Sequence, residues 1–175
     1  VCLKVGDNIS TDHIVPSDSK LLPYRSNVPH LAKFSFCKVD DQFYNRCIEN
    51  GGGFIVGGDN YGQGSSREHA ALVPSYLKIK AIFAISFARI HRSNLINNGI
   101  LPLVINQKDY DFFNDQDEYE LINLLDSVEN NKDITVINKT NNQTITAKLK
   151  LSPREKTMIQ YGGLLNAIKE LGGDF

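Results

Sequence analysis

The sequence predicts an α/β fold, a partly parallel sheet flanked by helices, on three observations. Short apolar runs recur at residues 54–56, 81–85 and 100–105, the pattern of strands buried on both faces. Stretches of helical periodicity separate them at 67–77 and 88–97. Strand, helix, strand, helix, strand in that order implies parallel strands joined by right-handed crossovers.

Each element has its own signal. Residues 1–7 are a short apolar stretch, and Gly6-Asp7-Asn8 supplies turn residues. Ser10-Thr11-Asp12-His13 follows as a polar patch, and Pro16 stops any helix after Ile14-Val15. Residues 21–29 contain two prolines, an arginine and an asparagine, which reads as a surface loop, and 31–38 alternate weakly. Residues 40–50 predict a helix with Phe43, Cys47 and Ile48 on one face, ended by Gly51-Gly52-Gly53. Pro74 predicts a stop or kink late in the 67–77 helix. The 88–97 helix is expected to turn Ile90, Leu95 and Ile96 inward before Asn98-Gly99 caps it. The acidic segment 109–125 reads as irregular with some helix. Residues 133–137 and 143–147 alternate apolar and polar about Asn141-Asn142, as a hairpin does. Ser152-Pro153-Arg154-Glu155 is a capping box that opens a last helix, interrupted at Gly162-Gly163 and running toward Leu171.

The totals narrow the class of function. A chain of 175 residues suits a single domain, 1–175. It begins with Val, so it is expected to be a fragment of a longer or processed polypeptide. A formal net charge of -1 gives no bias toward nucleic acid or anionic membrane, and no apolar run approaches the roughly 20 residues of a membrane helix. Neither partner is expected. Cys2, Cys37 and Cys47 contain no C-x-x-C pair, which argues against a disulfide framework or zinc. Reduced thiols predict the cytoplasm, or the mitochondrial matrix.

Four motifs can carry chemistry. Gly58 to His69 lies between a buried strand and a helix start, where α/β folds place ligands. Its glycines admit close backbone approach, Ser65 and Ser66 add hydroxyls, and Arg67 offers a bidentate fork for a carboxylate or phosphate. The competing reading is a glycine-rich turn with Ser66 as helix cap and Arg67 solvated. Asp12-His13 is either an acid/base pair or a cap, and neighbours in sequence rarely face each other. Arg25, between Pro23 and Pro29, is either solvated or aimed at an anion. Arg89, His91 and Arg92 open the second helix, where they touch an anion or serve as surface and anchors.

The stretch Gly58 to Leu72 closely resembles the signature of the aconitase C-terminal domain. So do Ser86-Phe87-Ala88-Arg89-Ile90-His91 with Asn94-Leu95 and Gly99 to Leu103, and Thr11-Asp12-His13-Ile14 with Arg25-Ser26-Asn27 downstream. The resemblance implies the fourth, swivelling β/β/α domain, closing over a body that holds a [4Fe–4S] cluster in domains absent from this chain. This chain itself would bind no cofactor. The implied activity is aconitate hydratase, a hydro-lyase interconverting citrate and isocitrate through cis-aconitate, inactive without the iron–sulfur domains. Ser65 would be the base, with Asp12 and His13 at the catalytic centre, and Arg25, Ser66 and Arg67 would bind the tricarboxylate. The alternative is the small subunit or domain of homoaconitase or isopropylmalate dehydratase. The latter's first motif usually reads Thr-Asp-Gln, so Thr11-Asp12-His13-Ile14 favours aconitase or homoaconitase. Val15-Pro16 departs from the serine many aconitases carry there, and the Asp12-to-Arg25 segment is one residue longer than in the mitochondrial enzymes. A non-catalytic carboxylate-binding module and an RNA-binding module stay open beside these readings.

Overall fold

The computed structural model describes residues 1–115 and 117–172. Its central sheet has four parallel strands in sequence order: β1 (Leu3–Lys4), β2 (Gly53–Val56), β3 (Ile79–Ala84) and β4 (Leu101–Val104). Leu3 pairs with Ile55, Ile55 with Ile82, and Ile82 with Pro102. The three strands expected from sequence are therefore present, and β1 joins them at one edge. Pro102 lies on the opposite edge strand, where a missing N–H is tolerated.

Helices α1 (Thr11–Ile14), α2 (Val28–Ala32) and α3 (Phe43–Asn50) lie between β1 and β2. Helix α4 (His69–Tyr76) crosses from β2 to β3, and α5 (Arg89–Asn97) from β3 to β4. Segment 21–29 is more ordered than a surface loop: a 3-10 turn spans Leu22–Tyr24, and α2 opens at Val28 with Pro29 in its first turn. Asn27 Oδ1 caps α2 by accepting from the His30 N–H at 3.0 Å. Two inward assignments are corrected. Ile48 is 57% exposed and Ile90 48% exposed, because a step of five residues along a helix turns a side chain away from its partner. Cys47, four residues from Phe43, faces inward as expected, and His91, four residues before Leu95, takes the inward position in the second helix.

A second sheet is antiparallel: β5 (Tyr119–Ile122), β6 (Ile134–Asn138) and β7 (Thr144–Ala147). The predicted hairpin is β6 and β7, with Ile134 opposite Ala147 and Ile137 opposite Thr144. Strand β5 corrects the reading of 109–125, which holds a 3-10 turn (Gln107–Phe112), then β5, and the start of α6 (Leu124–Asn130). The capping box opens α7 (Pro153–Gln160), and Gly162-Gly163 breaks it from α8 (Leu164–Leu171).

Alternation along the parallel strands divides the core in two. Ile55 and Ile82 face Phe36, Phe43, Ala70 and Val73, supplied by the first four helices and their connections. Val56, Phe83 and Leu103 face Phe113, Val136 and Met158, on the side of the antiparallel sheet and the last helices. Burial of each large apolar side chain contributes about 1.5–3 kcal/mol. The two sheets meet where Val104 and Lys148 exchange backbone hydrogen bonds of 2.9 and 2.7 Å. The first core supports the ends of β1, β2 and β3, and so the loops beyond them.

His91 sits at that junction, 2% exposed, its ring 5.6 Å from that of buried Tyr61. Both ring nitrogens lack hydrogen-bond partners among the described residues. Loss of solvent pushes its pKa down to about 4 from 6.5. Between those values the unfolded chain binds a proton that the folded chain refuses, so stability falls as pH falls. The depression corresponds to roughly 3 kcal/mol at full extent. His91→Phe should flatten this part of the pH dependence of urea unfolding. Identical slopes in wild type and variant between neutral pH and the folded-state pKa would refute the assignment.

Candidate functional site

Three loops leave the carboxyl ends of β1, β2 and β3 and stay laced together. Ile9 C=O accepts from the Gly62 and Gln63 amides at 2.7 and 3.1 Å, and Thr11 N–H donates to Gln63 C=O at 2.9 Å. Tyr61 N–H donates to Ser86 C=O, and Ala88 N–H to Tyr61 C=O, both at 2.9 Å. The Asn60 amide donates to Asn8 Oδ1 at 3.1 Å and to Gln63 Oε1 at 2.8 Å. The strands thus continue as single bridges into the loops. Gly62 (φ +83°) is required here, because a Cβ would stand 2.0 Å from His91 Cδ2.

Ser65, Ser66 and Arg67 stand on the ridge between two clefts. The larger, of about 350 Å³, is bounded by these three residues, Arg25, His69 and the apolar side chains of Leu21, Leu22 and Leu31. The smaller, of about 220 Å³, lies on the other side of the ridge, against the start of α5. Helix α4 begins at His69, two residues later than the sequence suggests, and Glu68 takes the cap position without a side-chain bond. Ser66 is therefore not the helix cap. Among the described residues the backbone N–H groups of Ser65 through Glu68 have no acceptor, so the strand-to-helix turn presents a row of free donors. Thr11, 2% exposed, fixes this turn by donating its hydroxyl to Ser65 C=O at 3.1 Å.

Asp12 collects four donors. Ser17 Oγ donates at 2.7 Å, its backbone N–H and Lys38 Nζ at 2.9 Å, and Arg67 Nη1 at 3.0 Å. The Ser17 hydroxyl, then Lys38, the Ser17 amide and Arg67, hold the Asp12 carboxyl well below the usual carboxylate range. It is ionised at neutral pH, and its lone pairs are engaged. Its geometry is that of a positioning residue for Arg67, which also donates from Nη2 to Ser17 Oγ at 3.0 Å. His13 faces a different task. Ser10 Oγ accepts from His13 N–H at 3.1 Å, and His13 Nδ1 accepts from Ser10 N–H at 3.1 Å, closing a capping box on α1. The His13 ring lines neither cleft.

Arg25 lies at the mouth of the larger cleft, and its guanidinium has no hydrogen-bond or ion-pair partner among the described residues. Its carbonyl accepts from His69 Nε2 at 2.9 Å, which ties the Arg25 turn to α4. Of the cations on α5, Arg92 is an anchor: Nη1 meets Glu155 Oε1 at 2.7 Å and Nη2 donates to Lys150 C=O. Arg89 lines the smaller cleft. The positioning contacts of Ser17, Lys38 and His69 were not legible in sequence. Lys38 is 26 residues from Asp12 and His69 is 44 from the Arg25 carbonyl, and only the fold brings them together.

No group of three or more His, Cys, Asp or Glu side chains among the described residues is placed to hold a metal ion. Cys2 and Cys47 are buried in the first core and Cys37 is exposed. These residues do not fit an iron–sulfur cluster.

The family model described as "Aconitase C-terminal domain" matches residues 42–108. The 3-isopropylmalate dehydratase small subunit 2 of Archaeoglobus fulgidus is 38% identical over 97% of this chain and 93% of its own length. The methanogen homoaconitase small subunit of Methanocaldococcus jannaschii is 37% identical over 95% of this chain and 88% of its own. A probable mitochondrial aconitate hydratase of Dictyostelium discoideum is 43% identical over 66% of this chain, but only 15% of that protein is covered. A crystal structure of 3-isopropylmalate dehydratase from Methanocaldococcus jannaschii superposes with a TM-score of 0.77 at 34% identity, covering 95% of this chain and 90% of that one. Relatives matched along nearly their whole length are thus small subunits, which supports the alternative of the sequence reading over aconitate hydratase proper. The chain belongs to the aconitase family, matching its C-terminal domain and related to the isopropylmalate dehydratase small subunit.

Proposed function

We propose that this chain binds the carboxylates of a hydroxy-polycarboxylate and moves its α-proton, as the small subunit of a hydro-lyase of the homoaconitase or isopropylmalate dehydratase kind. The observation that carries this reading is the gathering of Ser65, Ser66, Arg67 and Arg25 around one cleft. Arg25 and Arg67 are two cations that can each grip a carboxylate with parallel hydrogen bonds. Ser65 Oγ takes the α-proton, and the free N–H groups of the turn, with Arg67 beside them, favour negative charge on that oxygen. Asp12 and Lys38 keep Arg67 in place while substrate enters. Departure of the hydroxyl is left to a partner body, which by family resemblance bears the [4Fe–4S] cluster.

Two free-standing small subunits co-extensive with this chain support a two-subunit organisation. Arg25 in the cleft favours a tricarboxylate, of the homoaconitase kind, over an isopropyl-bearing malate. Aconitate hydratase is the second reading, favoured by Thr11-Asp12-His13-Ile14 and by the local match to the Dictyostelium protein.

Reconstituted with its iron–sulfur partner, the chain should support dehydration of homoisocitrate or isocitrate above 3-isopropylmalate, and without the partner it should turn over none of them. Selective turnover of 3-isopropylmalate would overturn the tricarboxylate assignment. In the reconstituted enzyme, Ser65→Ala should lower kcat by about 10²–10⁴, the range of positioned acid–base catalysis, with a much smaller change in KM. Solvent exchange of the substrate α-proton at the wild-type rate in that variant would exclude Ser65 as the base. Arg25→Lys keeps the charge but loses the planar fork, so KM should rise by the equivalent of roughly 1–3 kcal/mol. An unchanged KM would remove Arg25 from the substrate.

A further inference from the structure

We infer that His69 is a positioning residue for Arg25: the hydrogen bond from its ring to the Arg25 carbonyl sets where that guanidinium stands against the Ser65–Arg67 ridge. This rests on the reading of the chain as a substrate-binding hydro-lyase domain and adds to it a residue that acts through another. The segment carrying Arg25 has little else to hold it. From Ser17 to Asn27 every residue but Leu21 is exposed, and exposed segments with few buried contacts open readily. The turn at Arg25 closes on itself with a long bond, from its N–H to Leu22 C=O at 3.4 Å. The Tyr24 ring stacks 4.2 Å from that of His30, on the adjoining helix α2. Among the described residues, the His69 bond of 2.9 Å is the one hydrogen bond that ties residues 18–26 to the chain beyond α2.

His69 is suited to this by its place in the fold. It is the first residue of α4 and follows directly on the turn that carries Ser65, Ser66 and Arg67. Helix α4 is fixed in the first core through Ala70, Ala71 and Val73, so the tie to Arg25 starts from a rigid element. A carbonyl oxygen only accepts, so His69 Nε2 carries the proton of this bond. The ring is half-buried and reaches Arg25 across 44 residues of sequence. His69, Arg25 and Ser65 all line the larger cleft, so a shift of the Arg25 turn changes the span between the carboxylate grip and the proposed base. A misplacement of about 1 Å is enough to matter at such a site. Without His69 the turn would have to be ordered by the arriving substrate, at the expense of affinity.

The test is a double-mutant cycle in the enzyme reconstituted with its iron–sulfur partner, assayed on isocitrate, homoisocitrate and 3-isopropylmalate, with kcat/KM compared where saturation is not reached. For the acid that is turned over, His69→Ala should raise KM about fivefold or more, the size of one hydrogen bond, with a much smaller change in kcat. His69→Gln, whose side-chain amide can still donate, should recover most of that loss. In an Arg25→Met background His69→Ala should add nothing further, because a residue that acts through Arg25 then has nothing to place. Core amide resonances of the chain, unchanged between wild type and variants, check that each variant folds. An equal rise in KM in both backgrounds would show His69 acting independently of Arg25 and overturn the positioning role. So would an unchanged KM in His69→Ala, or a His69→Gln as impaired as His69→Ala. All three results leave Arg25 as a substrate ligand. If Arg25→Met itself leaves KM unchanged, or the wild type turns over none of the three acids, the substrate-binding reading fails and the role of His69 falls with it.

Discussion

The placement of Arg67 depends on one carboxylate. Asp12 lies on α1, beyond β1, and Arg67 on the loop after β2, and their contact at 3.0 Å spans 55 residues of sequence. With side chains 37% and 29% exposed, the pair contributes little to stability, as partly solvated ion pairs generally do. Its value is geometric. An unheld arginine samples many rotamers and must be ordered each time a ligand binds. Asp12 and Ser17 between them take two of its nitrogens and fix the plane of the guanidinium. Lys38 supplies a second cation to Asp12, at 2.9 Å.

That arrangement is possible because the sheet is parallel. Three successive strands end on the same side, so their loops meet there, and two of the crossovers begin with helix N-termini. The single bridges Ser10–Gln63 and Tyr61–Phe87 extend the sheet one step into the loops, which makes the site a continuation of the core rather than an appendage. Thr11 and Gly62 show how closely the two are fitted: one anchors the Ser65 carbonyl, the other leaves room for the His91 ring.

Much of this was legible in the sequence because the signals were local. The three apolar runs, the β6–β7 hairpin and the Ser152 capping box each carry their pattern within a few residues, and the Ser65-Ser66-Arg67 loop is a contiguous motif. What escaped depended on distance. Strand β1 is two residues long, too short for periodicity. Strand β5 lies in an acidic segment whose pairing with β6 is set by the fold. Ile48 and Ile90 lie five residues from Phe43 and Leu95, so helix geometry turns them outward and leaves the inward positions to Cys47, expected there from the sequence, and to His91. Asp12 and His13, adjacent on a helix, meet different surroundings: Asp12 joins the Arg67 network and His13 folds back onto the Ser10 cap.

The two-sided core also explains where the family signal is concentrated. The matched segment 42–108 contains β2, β3, β4 and the two crossover helices, every one of which borders the loops of the site or supports them. The residues beyond, which build β5, β6, β7 and the last helices, fill the opposite face of the sheet and need only be apolar at positions such as Val136 and Met158. Packing of that kind tolerates many combinations of similar volume, whereas a hydroxyl, a guanidinium and a row of free amides around one cleft do not. The matched segment takes in the whole ridge from Gly58 to His69. In this chain what faces it is Arg25 on one side and Arg89 on the other. Under the function proposed above, discrimination among acids falls to residues such as Arg25 that face the ridge, while proton removal falls to the ridge itself.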